Sequence, residues 1–246
     1  MVSSISVLSN VSAAHFRPPI LEKLGKENVA LMVSGGLDSF IAYYYLQSDY
    51  NVYPIFVDLN HAYKQQELAA CLKIYGSKLI LAPSINLAKF EKPDAEIPLR
   101  NLYIAMSGVN LGFNNIAIIA QKDEKSIPDR TKKFYTKTSK LLSYLSGRKI
   151  SVFTPFYAMD KTDMLEWYLK QVKDIEMLEN VFSCYTPISG GRQCGNCPAC
   201  FRLYTSYKNA GIEPKFKLTD EIKSIYRKKL SSYSKDRQKR ILKALQ

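Results

Sequence analysis

The stretch Val29-Ala30-Leu31-Met32-Val33-Ser34-Gly35-Gly36-Leu37-Asp38-Ser39-Phe40 decides how the chain is read. Five apolar residues in a row read as a buried strand, they stop at Ser-Gly-Gly, and an apolar-periodic helix begins straight after. Two adjacent glycines permit positive φ and let the backbone approach a ligand that a Cβ would keep away. Ser34, Gly35, Gly36 and the first helical residues, Leu37 among them, then point N–H groups at whatever sits above the helix N-terminus. The partial positive charge there favours an anion, most often phosphate. Ser34 and Ser39 add hydroxyl donors, and Asp38 is placed to hold the Mg²⁺ that accompanies a triphosphate. The alternative is a tight β–α turn whose glycines serve geometry alone.

Outward from this turn, strand and helix patterns alternate. Residues 52–57 read as a second strand ending at Asp58, weakened by Pro54. Residues 67–74 carry helical periodicity closed by Gly76. A third strand spans 78–82, and 88–99, with two prolines, reads as a loop over the strand ends. Residues 101–113 are helical, with Gly108 and Gly112 available for close packing. The apolar run 115–120 has the form of a central parallel strand. A helix over 131–145 and a strand over 150–153 follow. Asp160, with Asp163 three residues on, is an N-cap for a helix over 161–172. This alternation predicts an α/β fold with an open, mostly parallel, doubly wound sheet and right-handed crossovers. Ligands bind outside the carboxyl ends of such strands. That places 34–39, Asp58, 121–129 and 154–160 around one crevice.

Four of the five cysteines cluster as Cys184-x9-Cys194-x2-Cys197-x2-Cys200. This is metal spacing, and four thiolates leave a zinc no open position, so the expected Zn²⁺ is structural. Gly190, Gly191 and Gly195 relieve the tight backbone, and Pro198 starts the following helix. An iron–sulfur cluster or a metal-free redox pair would use the same residues. Cys71, alone in a helical pattern, reads as a small buried apolar residue. The division expected is a lead-in over 1–28 carrying Pro18-Pro19, packing as a strand or hairpin, then an α/β domain over 29–175. A zinc-bound, basic helical region over 176–246 completes the chain.

The chain has 246 residues, of which 46% are hydrophobic and 12% aromatic, which are globular values. No run of 18 apolar residues predicts a membrane span. The N-terminus has no secretory pattern, so the expected compartment is the cytoplasm. Of the formal +13 charge, more than half lies in 213–246, which hold 11 Lys/Arg against 4 Asp/Glu. The preferred reading is a solvated helical face, and contact with nucleic acid is the alternative.

Ser34-Gly35-Gly36-Leu37-Asp38-Ser39 resembles the signature of the PP-loop ATP pyrophosphatases, and the P-loop Lys-Ser/Thr is absent. That resemblance implies an adenine nucleotide alpha hydrolase-like fold that cleaves ATP between the α and β phosphates. With the cysteine segment the likeness narrows to the 7-cyano-7-deazaguanine (preQ0) synthases. Ser183-Cys184-Tyr185, Cys194-Gly195-Asn196-Cys197-Pro198-Ala199-Cys200-Phe201-Arg202 and Ala210-Gly211-Ile212 are similar to that family's zinc segment and following helix. Ile97-Pro98-Leu99-Arg100-Asn101 is similar to its Val-Pro-x-Arg-Asn. Asp123-x3-Ile127-Pro128-Asp129, with Phe134 beyond, is similar to its Asp-x3-Tyr-Pro-Asp block. Thr154-Pro155-Phe156 and Lys161-Thr162-Asp163 match in order and spacing, so the likeness covers about residues 29–212.

The resemblance implies two ATP-dependent steps on 7-carboxy-7-deazaguanine, through an acyl adenylate and an amide, with ammonia as the nitrogen donor. ATP, Mg²⁺ and Zn²⁺ are the implied cofactors, and a homodimer the implied assembly. Ser34, Gly35, Gly36, Leu37, Asp38 and Ser39 would hold pyrophosphate and metal. Lys161 would neutralise phosphate or carboxylate charge, or else is a surface lysine at a helix start. Asp123 and Asp129 would accept from a guanine-like amidine edge, or else are loop or cap residues. Arg100 and Asn101 would line the same crevice, or else start a helix. The chain departs from the family at Leu59-Asn60-His61 (commonly Tyr-Gly-Gln), Ile119-Ala120-Gln121 (Gly-Val-Asn) and Ile127-Pro128-Asp129-Arg130 (Tyr-Pro-Asp-Cys). His61 reads as a surface-loop histidine, with a base or nucleotide contact as the alternative. Two other readings use the same features: a PP-loop enzyme adenylating another acceptor, and a zinc-stabilised nucleic-acid-binding module.

Overall fold

A computed structural model describes residues 25–92, 96–124 and 127–246. Most of the expected lead-in, residues 1–24 with Pro18-Pro19, lies outside the described residues. Glu27 and Asn28, its last members, already belong to the first strand.

Five strands, β1 (Glu27–Val33), β2 (Tyr50–Val57), β3 (Ile80–Ala82), β4 (Asn115–Ala117) and β5 (Ser151–Phe153), form one sheet. Their order is β3-β2-β1-β4-β5 and every pairing is parallel. Among the described residues eight helices accompany them: α1 (Leu37–Leu46), α2 (Lys64–Tyr75), α3 (Arg100–Asn110), α4 (Lys132–Ser146), α5 (Lys161–Gln171), α6 (Pro198–Asn209), α7 (Asp220–Lys228) and α8 (Lys235–Ala244). Side chains of β1 alternate between two cores. Val29, Leu31 and Val33 pack with α1, α2 and α5, while Ala30 and Met32 pack with α3 and α4. A strand apolar on both faces is thereby buried from both sides, as the sequence predicts. The order reverses between β1 and β4, which is where a doubly wound sheet opens its crevice.

Local chemistry accounts for the details. Pro54 precedes the point where β2 takes its second neighbour, at Ile55 opposite Ile80, so its missing N–H falls where pairing is one-sided. A Cβ on Gly108 would lie 2.9 Å from Ile116 Cγ1, so glycine there seats α3 on the sheet. Gly112 has φ +93 with nothing near its Cβ position, so it ends the helix rather than packing it. The apolar run 115–120 is strand only through Ala117. Beyond it the Ala120 N–H donates to Thr154 Oγ1 at 3.1 Å, and that hydroxyl donates to the Ala120 carbonyl at 2.7 Å. After a last backbone bond, from the Ile118 N–H to the Phe153 carbonyl at 3.0 Å, one side chain replaces the ladder at Ala120.

Asp160 caps α5 as expected. Its Oδ1 accepts from the Thr162 and Asp163 N–H groups at 2.9 and 3.0 Å, while Asp163 Oδ2 accepts from the Asp160 N–H at 3.0 Å. The C-terminal helices join the sheet through α6, whose Leu203 and Tyr207 enter the core beside α1 and α5. A satellite core of Phe201, Leu218, Ile222, Tyr226 and Ile241 holds α6, α7 and α8 together. Among the described residues, no helix is long and apolar enough to cross a membrane.

Candidate functional site

The turn between β1 and α1 is clamped from both sides. Gly35 has φ +71, and a Cβ there would fall 2.7 Å from Ala70 Cβ and 2.9 Å from the Glu67 carbonyl of α2. On the opposite side the Phe182 N–H donates to the Gly35 carbonyl at 2.9 Å. Gly36 is the extended N-cap of α1 and brings no capping side chain. Ser39, buried behind the turn, donates to the Gly36 carbonyl at 3.1 Å and accepts from the Ser34 N–H at 3.4 Å. The Leu37 side chain is fully buried in the core, so only its backbone faces outward.

Asp38 projects from the first turn of α1. Its Oδ1 is ion-paired with Lys161 Nζ from the first turn of α5, and Oδ2 accepts from Gln121 Nε2 at 3.4 Å. Lys161 is 15% exposed, which excludes the surface-lysine alternative. Ser34, Gly36, Leu37, Asp38, Ser39 and Lys161 share the wall of a cavity of about 210 Å³.

A second cavity of about 490 Å³ adjoins the first, with Arg100, Gln121, Glu124, Arg130, Lys161 and Arg202 lining both. Asp123 and Asp129, expected beside the glycine turn, line the second cavity instead. The side chain of Asp123 is ion-paired with Arg237 of α8 at 3.2 Å. Asn101 lines the first cavity, is buried, and donates from Nδ2 to the main-chain carbonyl of Asp129 at 3.1 Å. Arg130 is ion-paired with Glu124, whose Oε2 also accepts from the Gln121 N–H at 3.2 Å. Arg202 donates to the Tyr185 hydroxyl at 2.9 Å.

Two expectations are corrected here. Asp58 does not line either cavity, because its carboxylate is taken locally by the Asn60 N–H at 2.7 Å and Lys64 Nζ at 3.2 Å. His61 is not a surface residue. It is 6% exposed, its Nε2 lies 3.0 Å from Glu67 Oε2, its ring packs on Tyr63 at 4.3 Å, and it lines the first cavity. Gln121 and Glu124 fall in the 121–129 stretch expected at the crevice but had no individual role there, and Arg130 and Arg202 were not expected to line it. The signal for two of them was the departures themselves, since Gln121 and Arg130 stand where the family commonly has Asn and Cys.

Cys184, Cys194, Cys197 and Cys200 come together, with all four Sγ atoms within 4.8 Å of one another. Four thiolates about 2.3 Å from a tetrahedral metal stand about 3.8 Å apart. Cys194 and Cys200 Sγ are 3.9 Å apart. Backbone N–H groups already point at the sulfurs: Cys194 to Cys184, Asn196 to Cys194, and Cys200 to Cys197, at 3.3–3.4 Å. Bonds from the Cys184 and Cys200 thiols hold the Cys197 thiol well below the ordinary thiol range. The set fits a closed four-sulfur site for a metal such as zinc. Gly195 is required there. At φ +70 its Cβ would fall 2.0 Å from the Lys217 carbonyl. Cys71, by contrast, is fully buried in the α/β core, and burial pushes its thiol far up.

A model of the family described as "Queuosine biosynthesis protein QueC" matches residues 73–211. The 7-cyano-7-deazaguanine synthase of Methanocaldococcus jannaschii is 29% identical over 169 residues, 59% of this chain and 71% of that one. That of Persephonella marina is 25% identical over 224 residues, 77% of this chain and 96% of that one. That of Sulfolobus acidocaldarius is 24% identical over 229 residues, and the match spans 79% of this chain and about half, 48%, of that one. Among solved structures, a "predicted subunit of tRNA methyltransferase" from M. jannaschii aligns over 77% of this chain and 91% of its own. Its TM-score is 0.43 and its identity 12%.

Proposed function

The chain belongs to the QueC family, and from that premise we propose that it converts 7-carboxy-7-deazaguanine and ammonia to 7-cyano-7-deazaguanine at the expense of ATP. Relatives named 7-cyano-7-deazaguanine synthase support the product. The observation that supports the ATP dependence is the Asp38–Lys161 pair lining one cavity together with a clamped glycine turn.

In this reading the N–H groups of 35–39 and the Ser34 hydroxyl bind the β and γ phosphates, and Ser39 braces the turn from behind through the Gly36 carbonyl. Asp38 would hold Mg²⁺, which when bound neutralises charge on the phosphate oxygens. Lys161 supplies a cation where charge develops as a substrate carboxylate oxygen attacks the α-phosphorus and pyrophosphate departs. Ammonia then attacks the acyl carbon, AMP leaves with the activated oxygen, and one proton is released, giving the amide. Attack of the amide oxygen on a second ATP, followed by loss of AMP and the remaining N–H protons, leaves the nitrile. Asp123 and Asp129 in the adjoining cavity accept from the amidine edge of the base, with Arg100 at the junction and Asn101 on the wall of the first cavity. The four cysteines hold a structural zinc that fastens the segment carrying Phe182, Ser183 and Tyr185 against the first cavity.

The test is mass spectrometry of products formed from ATP, ammonium and 7-carboxy-7-deazaguanine, with pyrophosphate followed in parallel. The nitrile with two pyrophosphates per turnover is expected. Amide alone would remove the second activation, and no product with no pyrophosphate would overturn the reading.

A further inference from the structure

The basic C-terminal segment has no part in the function so far, and α8 lies beyond the residues that the family model matches. Its cations are divided. Lys235, Lys239 and Lys243 are exposed, while Arg237 and Arg240 turn inward and line the second cavity. Arg240 reaches the N-terminus of α5. Nη1 donates to Asp160 Oδ1 at 2.6 Å, Nη2 donates to Asp163 Oδ1 at 2.8 Å, and Nε lies 3.7 Å from Asp236 within α8. Asp160 and Asp163 are the two halves of the capping box of α5. Lys161, between them in sequence, is the first residue of that helix and the partner of Asp38.

We propose that Arg240 is a positioning residue. By bridging both carboxylates of the α5 cap, it fixes the helix start that aims Lys161 at Asp38. A guanidinium fork suits the task because its two outer nitrogens engage two carboxylates at once and set the helix end in both position and rotation. Buried Asp160 is otherwise held only by backbone donors, and the Lys161 side chain must cross from α5 to α1. A small rotation of the first turn of α5 would separate the pair. Within α8 the solvated face expected of the basic segment is real for the three lysines, and the two arginines belong to the cavity wall.

This inference rests on the ATP-dependent reading for its kinetic consequence and on geometry alone for its structural one, so two measurements are paired. In the intact zinc-loaded chain, Arg240→Ala should lower kcat for pyrophosphate release by about 10²-fold. KM for 7-carboxy-7-deazaguanine should stay within about two-fold. Arg240→Lys should restore part of the rate. Combined with Lys161→Ala, Arg240→Ala should cost nothing further, because both act through one contact. Hydrogen exchange in a peptide covering 160–165 should be faster in Arg240→Ala than in the unsubstituted chain. Lys239→Ala, on the exposed face of the same helix, should alter neither measurement. Additive losses in the double variant, a KM effect without a kcat effect, or unchanged exchange would each overturn the proposal. Absence of pyrophosphate release from the unsubstituted chain would sink the ATP reading instead, and the exchange measurement would still decide whether Arg240 holds the cap.

Discussion

The glycine turn at 34–39 and the cysteine knuckle at 184–200 are built alike and serve opposite ends. Each sets a glycine with φ near +70 hard against a neighbouring segment, Gly35 against α2 and Gly195 against Lys217. Each is followed at once by a helix whose first turn carries its chemistry. In the knuckle that chemistry turns inward, because Cys197 caps α6 by accepting from the Cys200 N–H and four sulfurs face one point. In the turn it faces outward, because Gly36 has no side chain to cap α1 and Asp38 looks into a cavity. A self-satisfied helix start is a fastener, whereas one left open to a cavity is, on the proposed reading, a binding surface. Damage to the first should therefore appear as lost structure, and damage to the second as lost turnover in a folded chain.

The largest break should come from the metal site. If the four cysteines hold zinc as proposed, stripping it with a strong chelator, or Cys197→Ser, should unfold the region around α6–α8 while the sheet keeps its circular dichroism. Structural zinc is worth about 10–16 kcal/mol in zinc-finger peptides. Next, Gly195→Ala should lower stability by about 3 kcal/mol or more in urea titration, since its Cβ meets a backbone carbonyl that has no rotamer to escape into. Asp38→Asn should sharpen the contrast from the other side. Pyrophosphate release should fall by about 10²–10³-fold, with denaturation shifted by less than about 1 kcal/mol. Should Asp38→Asn unfold the chain, or Gly195→Ala leave stability untouched, the distinction drawn here would fail. The smallest effect belongs to Arg237→Ala. Its partly exposed pair with Asp123 is worth about 0–1 kcal/mol, which a matched urea titration against the parent would read.

What the chain discloses before it folds follows the same division. Both regions are nearly contiguous in sequence, so glycines, hydroxyls, acid and thiols announce them. The strands β1 and β2 are legible because apolar runs buried on both faces leave no competing pattern. Partners drawn from far away are not. Lys161 is as compatible with solvent as with Asp38, 123 residues earlier, and nothing local marks Arg240 for a cap 80 residues upstream. His61 looks like a loop histidine until Tyr63 and Glu67 close over it. Asp58 looks available until its own turn consumes it. Beyond Ala117 the apolar pattern of a strand persists, but after a last backbone bond from Ile118 to Phe153 the hydroxyl of Thr154 takes over at Ala120, a replacement that periodicity does not register.

A single amide, from Phe182 to the Gly35 carbonyl, is also a line of communication. Two residues downstream of that amide is Cys184, the first thiol of the knuckle. On the proposed reading, a chain without metal at the knuckle would lose this brace on the glycine turn together with the order of its C-terminal helices. Supply of the ion would then set how many copies are both fully folded and able to work.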